Sequence, residues 1–218
     1  MSRGRRSVLV VSIMFKSFSS LLTRDEPLIR LLALWIVCAF LFIFAWLLSY
    51  YFLREGILRR RFLSANLPLE TSQVFSTFLR IFATNLVVGV GLILVASLFL
   101  VGNMPMSYFV VGIHAVFYGM FLGTNSFTIP AASRLPPSLS NALNRSGAFE
   151  ITAYIAVAAA TKNLALWRQQ SWINWHADRI AGPNNWDLTA LEKLLLMGAI
   201  LLLAGANYRE ALQIHAIL

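Results

Sequence analysis

The sequence predicts an all-α protein, a polytopic transmembrane helix bundle of about five spans with an N-terminal interfacial segment. Only 12% of its 218 residues are charged and 58% are hydrophobic, whereas an average soluble domain carries about 25% charged residues. Its apolar residues cluster into uncharged runs that are long enough to cross a bilayer. The net charge of +9 favours basic flanks beside anionic lipid headgroups.

The chain divides into two segments. In residues 1–27, Arg3, Arg5 and Arg6 precede a short apolar string that Lys16 interrupts. The string is too short for a signal peptide and favours an interfacial segment, with Met14 as an alternative start of translation. Residues 28–218 are predicted to form a single transmembrane domain with spans near 31–53, 81–101, 107–123, 147–167 and 194–208.

Charge-free runs define the first three spans. Residues 31–53 carry no charge, and Trp and Tyr side chains lie towards the ends of this run, where amphipathic rings prefer the interface. A second charge-free stretch, between Arg80 and Arg134, is too long for one crossing. Turn residues around Gly102 divide it into the second and third spans.

The fourth and fifth spans are less uniform. Glu150 lies near the start of the fourth and Lys162 near its end, and Lys162 is expected to reach the interface by snorkelling. The fifth is short, so Lys193 and Arg209 are expected to do the same at its two ends. Between these spans, Trp and Arg residues intermix over 167–186, which is typical of a helix lying in the headgroup layer.

Five spans place the termini on opposite sides of the membrane and the loops 54–80 and 124–146 on the same side. Basic residues are nearly balanced between the two sides. The positive-inside rule therefore gives only a small preference for a cytoplasmic N-terminus.

Three polar residues are candidates for an intramembrane site. An ionised carboxylate in hydrocarbon costs several kcal/mol, so Glu150 needs a partner, a proton or water. It is either a first-turn carboxylate stabilised by headgroup water and the helix dipole, or a polar anchor inside the bundle close to Asn85 or His114. A lone His such as His114 is more often a hydrogen-bonding residue between helices than a ligand.

Small residues mark the expected helix contacts. Gly119 and Gly123 form a small-xxx-small pair in the third span, and Ala153, Ala156 and Ala160 form a similar stripe in the fourth. Such residues let two helix backbones approach closely in lipid. We expect packing at these positions.

The sequence offers no catalytic, cofactor or metal site. Cys38 is the only cysteine, and His176 and His215 are too scattered to form a recognisable ligand set. The basic residues lie between apolar runs and do not form the clustered face that nucleic-acid binding needs. We therefore expect neither a cofactor nor an enzymatic activity, and no nucleic-acid partner.

The stretch from Asn85 through Pro105 and two short strings that follow it, all within residues 80–165, carry a family resemblance. YGMFLG at 118–123 holds Gly119 and Gly123, and SGAFE at 146–150 holds Gly147 and Glu150. These strings resemble the Asn-Gly-x-x-x-Gly and His-Gly-x-x-Glu patterns of the stage II sporulation protein M family of membrane proteins. In both strings the first residue departs from the family pattern, which here has Tyr and Ser in place of Asn and His.

The resemblance implies a five-span bundle with a cytoplasmic N-terminus that acts as a membrane scaffold. In sporulating bacteria the namesake works with partners that degrade septal peptidoglycan. We expect a scaffold or assembly subunit of an envelope complex in the bacterial inner membrane. The alternative is a permease-like subunit of an ABC-type exporter, or a small transporter or channel. Expected partners are membrane lipids and other envelope or transport proteins, with a homo-oligomer as a further alternative.

Overall fold

A computed structural model describes residues 20–59, 73–127, 131–171, 173, 176–180, 182 and 187–217. Most of the predicted interfacial segment 1–27, including Met14, lies outside the described residues. So do Trp172, Trp175 and Trp186 of the predicted headgroup-layer helix.

The predicted all-α bundle is confirmed, because helices dominate the described residues. The α-helices are α1 (Pro27–Phe52), α2 (Val74–Thr84), α3 (Gly91–Ser97), α4 (Met106–Thr124), α5 (Leu139–Leu143), α6 (Gly147–Ala160) and α7 (Ala190–Ile217). A π-helical segment, Asn85–Val90, joins α2 to α3, and a 3₁₀ turn, Lys162–Leu164, follows α6.

Four helical segments are long and apolar enough to cross a membrane: Pro27–Phe52, Val74–Ser97, Met106–Thr124 and Ala190–Ala216. They match the first, second, third and fifth predicted spans, with their ends shifted by several residues. The chain is therefore a multi-pass integral membrane protein.

The predicted span 147–167 is wrong in its second half, because α6 ends at Ala160 after 14 residues. Thr161 Oγ1 donates back to Val157 O at 2.8 Å and lies 2.7 Å from Ser97 Oγ. A helix of this length measures about 21 Å, which is less than the roughly 30 Å hydrocarbon core. Other helices surround α6 and leave Val157 to Ala160 at most 1% exposed. The helix therefore does not need to be as long as the hydrocarbon core is thick.

The last helix is longer than the predicted span 194–208 and runs over Ala190–Ile217. A capping box holds its beginning, since Glu192 N donates to Thr189 Oγ1 at 3.2 Å and Thr189 N donates to Glu192 Oε2 at 2.9 Å. Near the other end, Arg209 lies over an aromatic ring of α6. The helix therefore continues past this charge.

A four-stranded sheet lies at one end of the bundle in the order β2-β1-β3-β4. The strands are β1 (Phe99–Val101), β2 (Met104–Pro105), β3 (Trp167–Gln169) and β4 (Ala177–Arg179). The antiparallel β1–β2 hairpin turns at Gly102, whose φ is +62°, and β1 pairs with β3 in parallel. This pairing ends the second span at Ser97. The headgroup-layer helix predicted over 167–186 is wrong, since its described part contains β3 and β4.

The chain runs from the sheet end of the bundle to the opposite end, here called the loop end, and back in alternating passes. At the loop end, Gly56 N donates to Thr124 O at 2.6 Å, and Gln213 Nε2 donates to Asn144 O at 2.7 Å. The described parts of the loops 54–80 and 124–146 therefore meet at one end. Helix α6 crosses the centre and packs against α1, α3, α4 and α7.

Candidate functional site

A cavity of about 280 Å³ lies between the π-helical segment, α4 and α6. Its wall combines aromatic rings with a few polar side chains. Four of the six residues proposed from the sequence line it, namely Asn85, His114, Gly147 and Glu150.

Glu150 lies in the first turn of α6, at the wall of this cavity. The structure places it at the same cavity as Asn85 and His114. Its Oε1 atom is shielded from solvent and has no hydrogen-bond partner among the described residues. An ionised carboxylate oxygen that is buried without a donor is costly.

Glu210 of α7 is the acidic neighbour of Glu150. The two carboxyl groups lie within hydrogen-bonding reach of each other and of Ser146. Carboxylate oxygens only accept hydrogen bonds, so a bond between the two carboxyl groups requires a proton held between them. Sequence reasoning missed Glu210, because it ends the last span at Tyr208 and so assigns Glu210 to a flank.

Two glycines bring two tyrosines into the cavity wall. At Gly147, a Cβ atom would overlap the ring of Tyr118, whose hydroxyl accepts a hydrogen bond from Gly147 N at 3.1 Å. At Gly89, in the π-helical segment, a Cβ atom would overlap the Tyr154 ring. π-Helical turns are rare in proteins, and those that do occur are often found at functional sites. The sequence gives no signal for this turn.

The other two polar residues of the cavity lining each form a hydrogen bond. His114 Nδ1 donates to Val110 O at 2.8 Å, because a carbonyl oxygen only accepts. Asn85 Nδ2 donates to Oδ1 of Asn207, on α7, at 2.9 Å. The Asn85 bond joins two helices, whereas the His114 bond stays within α4.

Gly119 and Gly123 lie at the contact between α4 and α1, outside the cavity lining. A Cβ at Gly119 would overlap the backbone of Phe42, and one at Gly123 would overlap the backbone and side chains of α1. Ala153 and Ala160 are buried in the contacts of α6. These small residues therefore occupy helix contacts within the chain.

A second buried polar cluster lies at the sheet end. Arg30 Nη2 and Glu192 Oε1 form an ion pair at 2.7 Å, and both side chains are 0% exposed. Arg30 also donates to the carbonyl oxygens of Arg24, Asp25 and Ala159 at 2.9–3.2 Å. Sequence reasoning treats Arg30 as the flank of the first span, because nothing in the chain nearby indicates its distant partner.

Lys162 does not reach outward alone, as snorkelling would imply. Its Nζ contacts the carbonyl oxygens of Thr23 and Arg24 and lies 3.2 Å from Asp25 Oδ1. These contacts tie the end of α6 to the segment that precedes α1.

Among the described residues, no group of three or more His, Cys, Asp and Glu side chains is placed to hold a metal ion. No model of a protein family, no curated protein and no solved structure matches this chain.

Proposed function

We propose that this chain is a non-enzymatic scaffold or assembly subunit of a cell-envelope complex in the bacterial inner membrane. The observation that carries the proposal is a helix face of α7 on which two glycines, Gly198 and Gly205, are exposed two turns apart. At both, no described atom lies within 4 Å of the position a Cβ would take.

Glycine costs about 1 kcal/mol relative to alanine in a helix interior. Close packing against another helix can offset that cost in lipid, where dispersion contacts drive association. Gly119 and Gly123 illustrate such packing, because backbone of α1 occupies the space beside them. The corresponding space beside Gly198 and Gly205 is open, which supports packing of a helix from another chain.

The resemblance to the stage II sporulation protein M family supports the same proposal. Its four matching residues all lie at close contacts or at the cavity: Gly119 and Gly123 against α1, Gly147 under Tyr118, and Glu150 beside Glu210. Membership in that family is part of the proposal.

Transport is the second candidate function, as a permease-like subunit or a small transporter. The cavity favours it, because Asn85, His114 and Glu150 come together inside the membrane bundle. The sheet end argues against a fixed channel, since the Arg30–Glu192 pair and the end of α6 are buried there. A transporter would therefore need a conformational change.

Purification in a mild detergent, with mass-spectrometric identification of co-purifying chains, tests the scaffold proposal. We expect a recurrent envelope protein or a second copy of the chain. Gly198→Leu and Gly205→Leu should each reduce its recovery about fivefold or more, because the added side chains occupy the contact face.

Gly91→Leu is the matched control, because Gly91 has only Leu86 O within 4 Å, at 3.9 Å. It should leave recovery near the wild-type level. Equal losses in all three variants would remove the argument from α7. A recurrent ATPase partner would replace the scaffold with the exporter, and neither a partner nor self-association would contradict both.

A further inference from the structure

A second cavity, of about 430 Å³, lies between α1, α5 and α6 and is here called the lateral groove. We infer that the lateral groove binds one acyl chain of an anionic phospholipid, whose headgroup lies at the loop end. This inference goes beyond the scaffold proposal and depends on neither of the two candidate functions.

The lateral groove has a buried floor and an exposed rim. Cys38, Trp46 and Ile155 form the floor and are at most 2% exposed, whereas Ile43 and Leu143 at the rim are 49% and 45% exposed. The outer surface of a membrane bundle faces lipid, so the rim opens into the bilayer. The volume of the groove lies within the usual range for ligand pockets, roughly 300–1,000 Å³.

The lining of the lateral groove is apolar, and its described part includes no charged side chain. Trp35 Nε1 donates to Thr152 Oγ1 at 3.3 Å, and this hydroxyl donates to Ala148 O at 2.8 Å. A cavity lined in this way has too few polar partners to hold water. An empty groove would leave its lining without dispersion contacts. Hydrocarbon from the surrounding bilayer therefore fills it.

The direction of the lateral groove suits an acyl chain. Its lining follows α1 from Trp35 to Leu47, which is about 18 Å of helix. Because α1 crosses the membrane, the groove follows the direction in which acyl chains lie. Its other end is at the loop end of the bundle, where Pro137 and Ser138 belong to the lining. A chain in the groove therefore has its headgroup at the loop end.

The loop end of the lateral groove is basic. Trp46 Nε1 donates to Leu135 O at 3.0 Å, which places the neighbouring Arg134 near this end. The Arg134 guanidinium contacts two backbone carbonyls and a tyrosine ring, and forms no ion pair with a described residue. Residues 131–149, which supply part of the lining, include two arginines and no acidic residue. This charge favours an anionic headgroup.

Native mass spectrometry of the full chain in a mild detergent measures the retained lipid. The chain is first delipidated and then titrated with phosphatidylglycerol or with phosphatidylcholine of the same acyl chains. We expect one tightly held phosphatidylglycerol per chain, and phosphatidylcholine held about fivefold more weakly, because it carries no net negative charge. Arg134→Gln should reduce this preference to less than about twofold.

Ala39 lines the lateral groove, and Ala39→Phe should lower the retention of phosphatidylglycerol about fivefold or more, because the ring takes the place of the acyl chain. Ala148→Phe fills the groove from the α6 side and should have the same effect. Ala83→Phe is the matched control, since Ala83 is exposed on α2 and lies outside the groove. It should leave retention unchanged. Gel filtration checks that each variant remains folded.

Any of four results would overturn the inference: no lipid retained by the wild-type chain, equal retention of the two lipids, wild-type retention in both filled variants, or an unchanged preference in Arg134→Gln. A dimer that excludes the lipid would also overturn it, because a protein helix would then occupy the groove. Loss of co-purifying partners in the α7 glycine variants, with lipid retention intact, would support the scaffold separately.

Discussion

Arg30 and Glu192 form an ion pair with no exposure where α1, α6 and α7 meet. Two buried charges are expensive to remove from water, and their attraction offsets this cost only when the remaining donors and acceptors are bonded. That condition is met on the Arg30 side by three backbone carbonyls, and on the Glu192 side by Asn163 and Thr189. The cluster therefore fixes how three helices join.

Glu192→Gln should lower the free energy of unfolding by about 3–5 kcal/mol, because it leaves the Arg30 guanidinium buried without its counter-charge. The double substitution Arg30→Met with Glu192→Met should recover a large part of this loss, since no unpaired charge remains. Thermal unfolding in detergent, followed by circular dichroism, measures both effects.

Asp25→Asn is the matched control, because the Lys162–Asp25 pair joins the same region but its carboxylate is exposed to solvent. Exposed pairs contribute little to stability, so this change should be much smaller than that of Glu192→Gln. If Glu192→Gln and Asp25→Asn had equal small effects, the buried pair would not stabilise the helix junction.

The residues of the candidate site were only partly predictable from the sequence. Glu150, Asn85 and His114 stand out because polar groups are costly in hydrocarbon, and the structure brings them to one cavity. Glu210, Gly89 and the Arg30–Glu192 pair depend on which distant helices meet. The periodicity of the sequence and its local charges do not show which helices meet.

The elements of the fold depend on close helix contacts, of which α1 with α4 is the clearest. Gly119→Leu or Gly123→Leu should destabilise the protein by about 3 kcal/mol or more, because backbone atoms of α1 occupy the space and cannot move as a side chain can. Unfolding in detergent is the measurement.

Gly102 is a poor control for these variants, because its φ of +62° would strain any side chain. Gly91→Leu is better, since the space beside it is nearly open. A loss at Gly91 as large as that at Gly119 would contradict the assignment of the α1–α4 contact.

The existence of the spans was predictable, and their ends were not. Uncharged length alone locates four of the membrane helices. Helix α6 ends early because Thr161 and Lys162 bond to residues far away in the chain. Helix α7 continues past Arg209 because the guanidinium group of Arg209 lies over an aromatic ring of α6. These partners can be identified only from the assembled helices, not from the sequence.

For the whole molecule, the helices alternate in direction, and the short α6 runs from the loop end to the sheet end. We predict that it completes a fifth pass. Ser138 precedes α6 at the loop end, and Ser171 follows it beside β3. The central claim is that five passes, one of them short and enclosed, separate the two ends of the chain.

Single-cysteine labelling in a Cys38→Ala background tests this claim most directly. Cys38 is the only cysteine of the sequence, so its removal leaves no background thiol. Cysteines placed at Ser64, Ser138 and Ser171 are treated in right-side-out and inverted vesicles with an impermeant maleimide. The account predicts that Ser64 and Ser138 react in one vesicle orientation and Ser171 in the other. Labelling of Ser171 together with Ser138 would contradict it, because α6 would then not cross the membrane.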